Sequence, residues 1–447
     1  MIHNRLCKVA VCAAVSAIFP ATLSGAVVQR ADSVGTLTLG TLYAMAEQQS
    51  PRLKAARQLA VAAGSRIAGA RRPPDPQVQL GLMNYGIPDF APMAQIGMAQ
   101  FQLMQMIPTA GKLRLSGRIA EAQAGAVTER AGDVAWDVRA KVAMAFYDLY
   151  STDRGLEVAR QTLRLLQDIH RTAEAMYRVG EGRQTDVLRA QVEMARMIED
   201  TLRMTAMRTG VAARLNALLD QPFDARVLSP VLPEFPESVS SPDALVALSL
   251  TGRSMVKAGE REVQAAQAEA RLADREIWPD LAVGVQFGQR GVAGGGTDRM
   301  GSLMLGASIP VFAKSRQLRL RQEVAAMRGM AESDLAAMRA DTRAAVLEAY
   351  ANLVRARHLG ALYRTTIIPQ AEAAVASALA AYRVGSVDFM TLLDDRMTVN
   401  EYRQELFALE AEQGKAWSEL EMFLGRELFD PNANAGGSMP PGEKEQP

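Results

Sequence analysis

The sequence predicts an internally duplicated α+β membrane protein in which pairs of short strands alternate with very long helices. The Tyr-Arg-Val-Gly sequence at Tyr177–Gly180 recurs at Tyr382–Gly385, 205 residues later. Further matches on both sides keep nearly the same offset, among them Pro76 with Pro279. Self-similarity at a fixed offset indicates a tandem duplication. Each copy has the predicted order helix, two strands, one very long helix, a tight turn and a returning helix.

The duplication divides the chain into five predicted segments. They are a signal peptide (1–26), a first repeat (27–220), a connector (221–242), a second repeat (243–429) and a disordered tail (430–447). The connector is rich in proline. The tail has no apolar pattern and therefore cannot offset the entropy cost of folding.

The first segment has the three parts of a secretory signal. Arg5 and Lys8 precede an apolar stretch, and Ser24–Ala26 supplies small residues at the cleavage positions. A membrane anchor is the alternative interpretation. The apolar run is too short for an anchor and is interrupted by Pro20.

Composition excludes several classes of protein. Both cysteines, Cys7 and Cys12, lie in the signal, so the mature chain would have no thiol for a disulfide, a metal site or a nucleophile. The residues before Cys12 do not fit a lipidation site. Lysine plus arginine (50) nearly balances aspartate plus glutamate (49), and no basic stripe with aromatic residues is present, so no nucleic-acid partner is expected. No segment after the signal is apolar enough for a membrane helix, so any membrane crossing is expected to use strands.

Four segments have the period-two alternation of strands with one apolar face. Val78, Leu80 and Leu82 alternate with glutamine and glycine, and the pattern recurs from Leu281 to Phe287. The predicted strands are 77–82, 95–107, 281–288 and 303–309. The second of these has a blurred period, which a β-bulge would explain.

Long stretches without proline predict helices far longer than those of a compact domain. Residues 112–178 would form a helix about 100 Å long. Residues 314–383 would form its counterpart, with a kink at Pro369. Shorter helices are predicted before the strand pairs and returning helices after the tight turns, at 41–72, 243–276, 184–220 and 388–426. The result is two long antiparallel helical hairpins.

The predicted strands require more than one chain. Four short strands cannot close a barrel, and open strand edges in a membrane leave backbone groups unpaired. Three copies supply 12 strands, which is within the size range of outer-membrane barrels. The sequence therefore predicts a trimeric 12-stranded transmembrane β-barrel, with four strands per chain, continued by a long α-helical periplasmic barrel.

The repeated Tyr-Arg-Val-Gly turns, the strand-Pro-Lys junctions and the duplication together resemble the TolC family of outer-membrane efflux channels over essentially the whole mature sequence. The resemblance implies a homotrimer in the outer membrane of a Gram-negative bacterium, surrounded by outer-membrane lipid and with a long periplasmic part. It also implies two protein partners, a periplasmic adaptor protein and an inner-membrane efflux pump. The chain would form a passive exit duct, and the pump would supply the energy.

Three short stretches resemble the heavy-metal branch of that family. They are Pro74–Pro76, Met83–Asn84 and Gln105–Lys112. That branch serves resistance-nodulation-division pumps of the copper/silver or cobalt/zinc/cadmium type, so heavy-metal cations are the expected cargo. A drug-efflux or type I protein-secretion duct is the alternative, because cargo choice belongs mostly to the pump. A periplasmic helical adaptor is the alternative from another class, but it would need a compact β domain between its hairpin arms.

The resemblance implies a periplasmic gate next to the Val-Gly turns, formed by Asp394, Asp395, Tyr382, Thr185 and Asp186. Asp394 falls on a family aspartate that lines the constriction. Three copies of it around a narrow axis would repel one another and favour cations. Thr391 and Val387 replace a second constriction aspartate and a gate arginine of the family. Alternatively, the two adjacent acids complement the dipole of the last helix, and Tyr382 only packs between helices.

Six residues at the helix tips are implied as docking positions for the adaptor or the pump: Arg178, Val179, Gly180, Arg383, Val384 and Gly385. The glycines also suit a left-handed residue at a helix end. The arginines also suit the negative end of a helix dipole. Both interpretations stay open for the arginines.

No enzyme activity, cofactor or metal site is expected. The sequence has no phosphate loop and no nucleophile elbow. His170 and His358 lie in long helices without a metal-binding pattern. Methionines crowd the first strand pair, at Met83, Met93, Met98, Met104 and Met106. Their thioethers suit Cu(I), but methionine is also a flexible apolar filler, which is the role the sequence favours.

Overall fold

The computed structural model describes residues 37–88, 91–93, 96–292, 296–384 and 386–430. The predicted signal peptide and the predicted tail beyond Asp430 lie outside the described residues. Two helices, two strands and a long helical hairpin follow one another and then recur in the same order. This repeated order agrees with the predicted duplication, and the repeat boundaries stay a prediction.

The elements of the first half are α1 (Leu39–Gln49), α2 (Pro51–Ala70), β1 (Gln77–Met83), β2 (Met98–Ile107), α3 (Lys112–Arg178) and α4 (Gln184–Leu218). Those of the second half are α5 (Pro242–Gly252), α6 (Ser254–Arg275), β3 (Asp280–Val292), β4 (Gly296–Ser308), α7 (Gln317–Leu362), a π-helical turn (Tyr363–Ile367), α8 (Ile368–Arg383) and α9 (Phe389–Leu424).

A pair of helices precedes each strand pair, so the prediction of single helices at 41–72 and 243–276 is wrong. Ser50 has an extended ψ of 120° because the ring of Pro51 disfavours the helical region for the residue before it. Arg253 is also extended, with a ψ of 122°. A Cβ built on the preceding Gly252 would lie 2.2 Å from the carbonyl oxygen of Leu424, so the second break lies where α5 and the end of α9 approach closely.

The four strands form one antiparallel sheet in the order β1-β2-β3-β4. Gln102 of β2 pairs with Gln79 and Gln286, and the β2–β3 register continues without a skipped residue from Met98 to Ile107. Within the described strand Met98–Ile107, a β-bulge is therefore not the explanation of the blurred period. The period is blurred because methionines lie on the polar face of β2 while Gln105 lies on the apolar face and donates to a backbone carbonyl.

Directly paired residues share a face of a sheet, so the register assigns every strand residue to one of two faces. Leucine, valine and phenylalanine dominate the apolar face, at Val78, Leu80, Leu82, Phe101, Leu103, Leu281, Val283, Val285, Phe287, Leu303 and Leu305. The polar face contains glutamine, glycine, serine and methionine. This segregation by face confirms the amphipathic strands that the sequence predicts.

The long helices are confirmed. α3 has 67 residues, which corresponds to about 100 Å of helix. Its counterpart begins at Gln317 rather than residue 314, because turns occupy residues 311–316. The π-helical turn interrupts this counterpart directly before Pro369, where a kink was predicted. Proline has no N–H for the carbonyl of Thr365 one turn earlier, so regular helical bonding cannot continue through it.

The largest apolar cluster lies between α1, α3 and α9 and includes the fully buried Phe146, Tyr147 and Leu420. Gly414 of α9 faces the ring of Tyr147. A Cβ built on this glycine would lie 2.3 Å from Cε1 of the ring. Glycine therefore permits the close approach of α9 to α3.

The buried Lys112 joins the two halves where the strands meet the helices. Its Nζ lies 2.9 Å from Oδ1 of Asp280 and donates to the carbonyl oxygen of Trp278 at 3.0 Å. The backbone N–H of Thr109 donates to the same Asp280 oxygen. The first residues of α3 are thereby held against the start of β3.

Candidate functional site

The first hairpin reverses at Val179–Arg183, between α3 and α4. Gly180 has a φ of 79°, which is the left-handed region that glycine adopts without strain. The backbone N–H groups of Glu181 and Gly182 donate to the carbonyl oxygen of Met176 at 2.9 and 3.0 Å. These bonds cap the end of α3, as expected for a glycine-terminated helix.

The second hairpin joins α8 to α9, and the described residues between these helices are Val384 and residues 386–388. Gly385 and the side chain of Arg383 lie outside the part of the chain that the structure describes. The backbone N–H and the hydroxyl of Ser386 both donate to the carbonyl oxygen of Ala381 at 3.0 Å. Val179 and Val384 are 71% and 79% exposed, so each tip presents an apolar side chain to its surroundings.

Asp388 caps the last helix and was not singled out from the sequence. Its Oδ1 accepts from the backbone N–H of Thr391 at 3.0 Å and from its hydroxyl at 2.8 Å. These bonds lower the pKa of Asp388, and the charges of Arg183 and Arg189 on the first hairpin lower it further. The Asp-x-x-Thr spacing at a helix start was the available signal. Thr391, which departs from the family pattern, thus belongs to this cap.

Tyr382 connects the two hairpins. Its hydroxyl donates to Sδ of Met176 at 3.7 Å, and its ring centroid lies 6.0 Å from that of Phe389. Burial raises the pKa of Tyr382, and the negative charge of Asp186 raises it further. The charge of Asp186 on the first hairpin thus acts on Tyr382 of the second, and the gate role of both residues stays a prediction. Met176, which accepts the bond, was missed because methionine has no distinctive pattern at this position.

The remaining gate candidates lie apart from this pair. Thr185 is exposed in the first turn of α4. Asp394 is exposed and Asp395 half-buried on α9, whose buried side is formed by Leu392 and Leu393. Among the described residues, neither of these two carboxylates has a hydrogen bond or an ion pair. An exposed carboxylate opposite the packed face of α9 is free to face a tunnel or a neighbouring subunit.

Arg178 is exposed at the end of α3 and forms an ion pair with Glu174, one turn earlier. An exposed ion pair of this kind contributes little to stability. Within the described ranges, no group of three or more His, Cys, Asp and Glu side chains is arranged to hold a metal ion.

The residues matched by the Outer membrane efflux protein family are 42–220 and 245–426. The chain therefore belongs to this family. Its fold is similar to that of the outer-membrane channel OprN, with 18% identity over 87% of this chain and 89% of that chain and a TM-score of 0.75. It is also similar to CusC, with 16% identity, coverage of 87% and 92% and a TM-score of 0.73.

The outer membrane protein VceC of Vibrio cholerae is similar as well, with 17% identity, coverage of 87% and 96% and a TM-score of 0.73. A comparison with curated protein sequences found no match. The family match confirms the resemblance to TolC-type outer-membrane efflux channels. It also confirms the predicted fold class, a strand region continued by long helical hairpins, and the outer-membrane location with a long helical periplasmic part.

In the described part of the chain, no helix is both long enough and apolar enough to cross a membrane.

Proposed function

We propose that three copies of this chain form a passive exit duct through the outer membrane, supplied by an inner-membrane pump through a periplasmic adaptor. The observation that carries the proposal is the sheet. β1 and β4 lie at its two ends, and its apolar face is exposed, with Leu80 80% and Leu305 77% accessible. A sheet with two free edges and an apolar face is stable in a membrane only when the edges pair and the ring closes.

Because β1 and β2 recur as β3 and β4 in the second half, the observed pairing of β2 with β3 predicts how neighbouring subunits pair in the closed barrel. If β4 pairs with β1 of the partner subunit as β2 pairs with β3, Leu305 lies opposite Leu82 of the partner subunit. The helices support the same assembly. Leu188, Val192 and Leu202 form an exposed apolar stripe along α4, each more than half exposed, at the spacing of one helix face. A second copy packed along this stripe would continue the helices into a cylinder.

Disulfide cross-linking tests the closed ring directly. The double variant Leu82→Cys plus Leu305→Cys in the mature chain, which lacks other cysteines, should give covalent dimers and trimers after mild oxidation. The matched control is Leu103→Cys plus Val285→Cys, a directly paired couple within one chain that should give no larger species. A monomer-only pattern for the first variant would contradict the proposed assembly.

Heavy-metal cations are the proposed cargo, on the strength of the residues that resemble the heavy-metal branch. The test is growth of a deletion strain, with and without the restored gene, on copper, silver, zinc, cobalt, cadmium and a panel of hydrophobic drugs. Sensitivity confined to metals supports this cargo. Sensitivity to drugs alone would leave the duct in place and assign it to drug efflux.

The proposed gate lies at the hairpin tips. The contact of Tyr382 with Met176 and the proximity of Asp186 support a closure that couples the two hairpins. Asp394 would line the constriction, with Asp395 as an additional acid and Thr185 at the start of α4. The exposed Val179 and Val384, with Arg178, Gly180, Arg383 and Gly385 beside them, form the proposed docking tips for the adaptor or the pump.

A further inference from the structure

All six methionines of the described strands lie on the same face of the sheet. They are Met83, Met98, Met104, Met106, Met300 and Met304. The register shows this directly: Met83 is paired with Met98, and Gly284 is paired with Met104 on one side and with Met304 on the other. The sequence indicated a methionine cluster in the first strand pair only. The register adds two methionines from β4 and assigns all six to one face.

This is the polar face, which they share with Gln79, Gln100, Gln102 and Gln286. The other face is the leucine, valine and phenylalanine face, and no strand methionine lies on it within the described residues. A methionine that served only as apolar filler would suit that second face at least as well. In the closed barrel of the proposed function, on which this inference rests, the apolar face contacts lipid and the polar face lines the lumen.

Buried glycines separate the methionines of neighbouring strands. Gly284 lies between Met104 and Met304 in adjacent strands. A Cβ built on this glycine would lie 3.7 Å from Cβ of Met304. The backbones of β2 and β4 are about 10 Å apart across the intervening strand. Because glycine has no side chain, two flexible thioethers can lean towards each other across it.

The same arrangement occurs at Gly288, which pairs directly with Met300 of β4. On its other side Met98 of β2 leans over it, since a Cβ built on this glycine would lie 2.8 Å from Sδ of Met98. A thioether therefore already occupies the space that a side chain at position 288 would take. Two methionine couples, Met104 with Met304 and Met98 with Met300, thus flank two glycines of β3.

We propose that these methionine couples bind a soft monovalent cation, Cu(I) or Ag(I), as successive weak sites along the lumen. Thioether sulfur selects soft cations over the hard ones that carboxylates and carbonyls bind. A neutral two-sulfur site holds such an ion without trapping it, and several weak sites in series suit conduction. The inference narrows the proposed heavy-metal cargo to the soft monovalent ions.

The test measures Ag(I) binding to the full chain in detergent, in a chloride-free buffer, by equilibrium dialysis and metal analysis. The sheet variant carries Met98→Leu, Met104→Leu, Met300→Leu and Met304→Leu, which retains side-chain volume and apolar character. The control variant replaces four methionines outside the sheet that are at least half exposed: Met93→Leu, Met207→Leu, Met327→Leu and Met330→Leu.

The expected result is that the sheet variant binds Ag(I) about tenfold more weakly than the unsubstituted chain, because the soft ligands are removed, while the control variant binds as before. Equal affinity in the sheet variant, or an equal loss in the control, would overturn the proposal. If the fourfold variant fails to fold, the pairwise variants Met98→Leu plus Met300→Leu and Met104→Leu plus Met304→Leu answer the same question.

This result is independent of the test of the proposed function. Each methionine couple lies within one chain, so Ag(I) binding is measurable whether or not trimers form. If the cysteine variant forms cross-linked trimers but the chain binds Ag(I) equally with and without the sheet methionines, this inference alone is refuted. A chain that binds Ag(I) through these methionines but never cross-links would refute the duct and retain the cation site.

Discussion

At the residue scale, the two hairpin tips are joined by a few polar contacts over a small apolar cluster. The buried part of that cluster comprises Leu166, Ala190, Met197, Phe389 and Leu393, and Tyr382 packs at its edge. The charges of Arg183 and Arg189 on the first hairpin act on Asp388 of the second. These contacts are few and partly exposed, which is compatible with the proposed gate.

Asp394 is the residue whose substitution most directly tests the gate. In the proposed gate its exposed carboxylate would meet those of two other copies at the tunnel axis, and such a ring would favour cations and would bind a divalent ion. Asp394→Ala should raise the resting single-channel conductance severalfold and weaken block by Mg²⁺. Glu405→Ala, which removes another exposed acid of α9 further from the tip, is the control and should leave both quantities unchanged. If the Asp394→Ala variant keeps the resting conductance and the Mg²⁺ block of the unsubstituted channel, Asp394 does not form part of the gate.

Glu421 makes the stability of the helical part depend on pH. Burial raises its pKa from 4.5 to about 7, although Leu428 N–H donates to its Oε1 at 2.7 Å and Arg139 lies 3.9 Å from Oε2. The folded chain therefore binds this proton more tightly than the unfolded chain. The resulting stabilisation is complete below the unfolded pKa and is lost as the pH rises through about 7.

The unfolding temperature should consequently fall by several degrees between pH 5.5 and pH 8.5, as measured by circular dichroism in detergent. Glu421→Gln should reduce this slope and be the more stable form at pH 8.5. Glu427→Gln changes an exposed partner of the same Arg139 and should keep most of the slope, because the charge of Glu427 is the smallest of the causes that shift the pKa of Glu421. An unchanged slope in Glu421→Gln would show that other groups govern the pH dependence.

At the scale of elements, the packing of two helices depends on glycine at the positions where their backbones approach closely. Gly414→Ala would force a methyl group against the buried ring of Tyr147, since the built Cβ lies 2.3 Å from the ring. Overpacking of this kind costs about 1–3 kcal/mol. Chemical denaturation should therefore show a loss of that order in the free energy of unfolding.

Gly329→Ala on α7 is the control for that substitution, because nothing lies within 4 Å of the built Cβ. Alanine there should stabilise the helix by about 0.5–1 kcal/mol. Equal effects of the two substitutions would mean that α9 and α3 do not approach closely at Gly414.

At the scale of the whole molecule, one chain does not form a closed barrel by itself. Its four-stranded sheet has two free edges, and the longest helix of its hairpins has 67 residues. We expect light scattering in mild detergent to give the mass of three chains, and heating in denaturing detergent to convert this species to monomers. A monomeric mass before heating would contradict the threefold closure.

The amino-acid sequence determined the long helices, the strands and their order, but it did not show that each helix before a strand pair is divided in two. A helix without proline from residue 112 to 178, amphipathic strands and the left-handed turn at Gly180 are local consequences of residue type and periodicity. The duplication was visible because both copies retain those local signals. The bonds that define the tip were not visible, since Met176 and Tyr382 are about 200 residues apart and meet only after the hairpins pack side by side.

Only the tertiary structure decided which residues pair between the strands and where two helices approach closely. Periodicity shows that a strand has two faces, but only the pairing of β2, β3 and β4 brings Met104, Gly284 and Met304 into one row. The break of the second short helix pair at Arg253 likewise lies where Gly252 approaches Leu424. Local propensity carries no information about such distant neighbours, because their contacts arise from packing between elements.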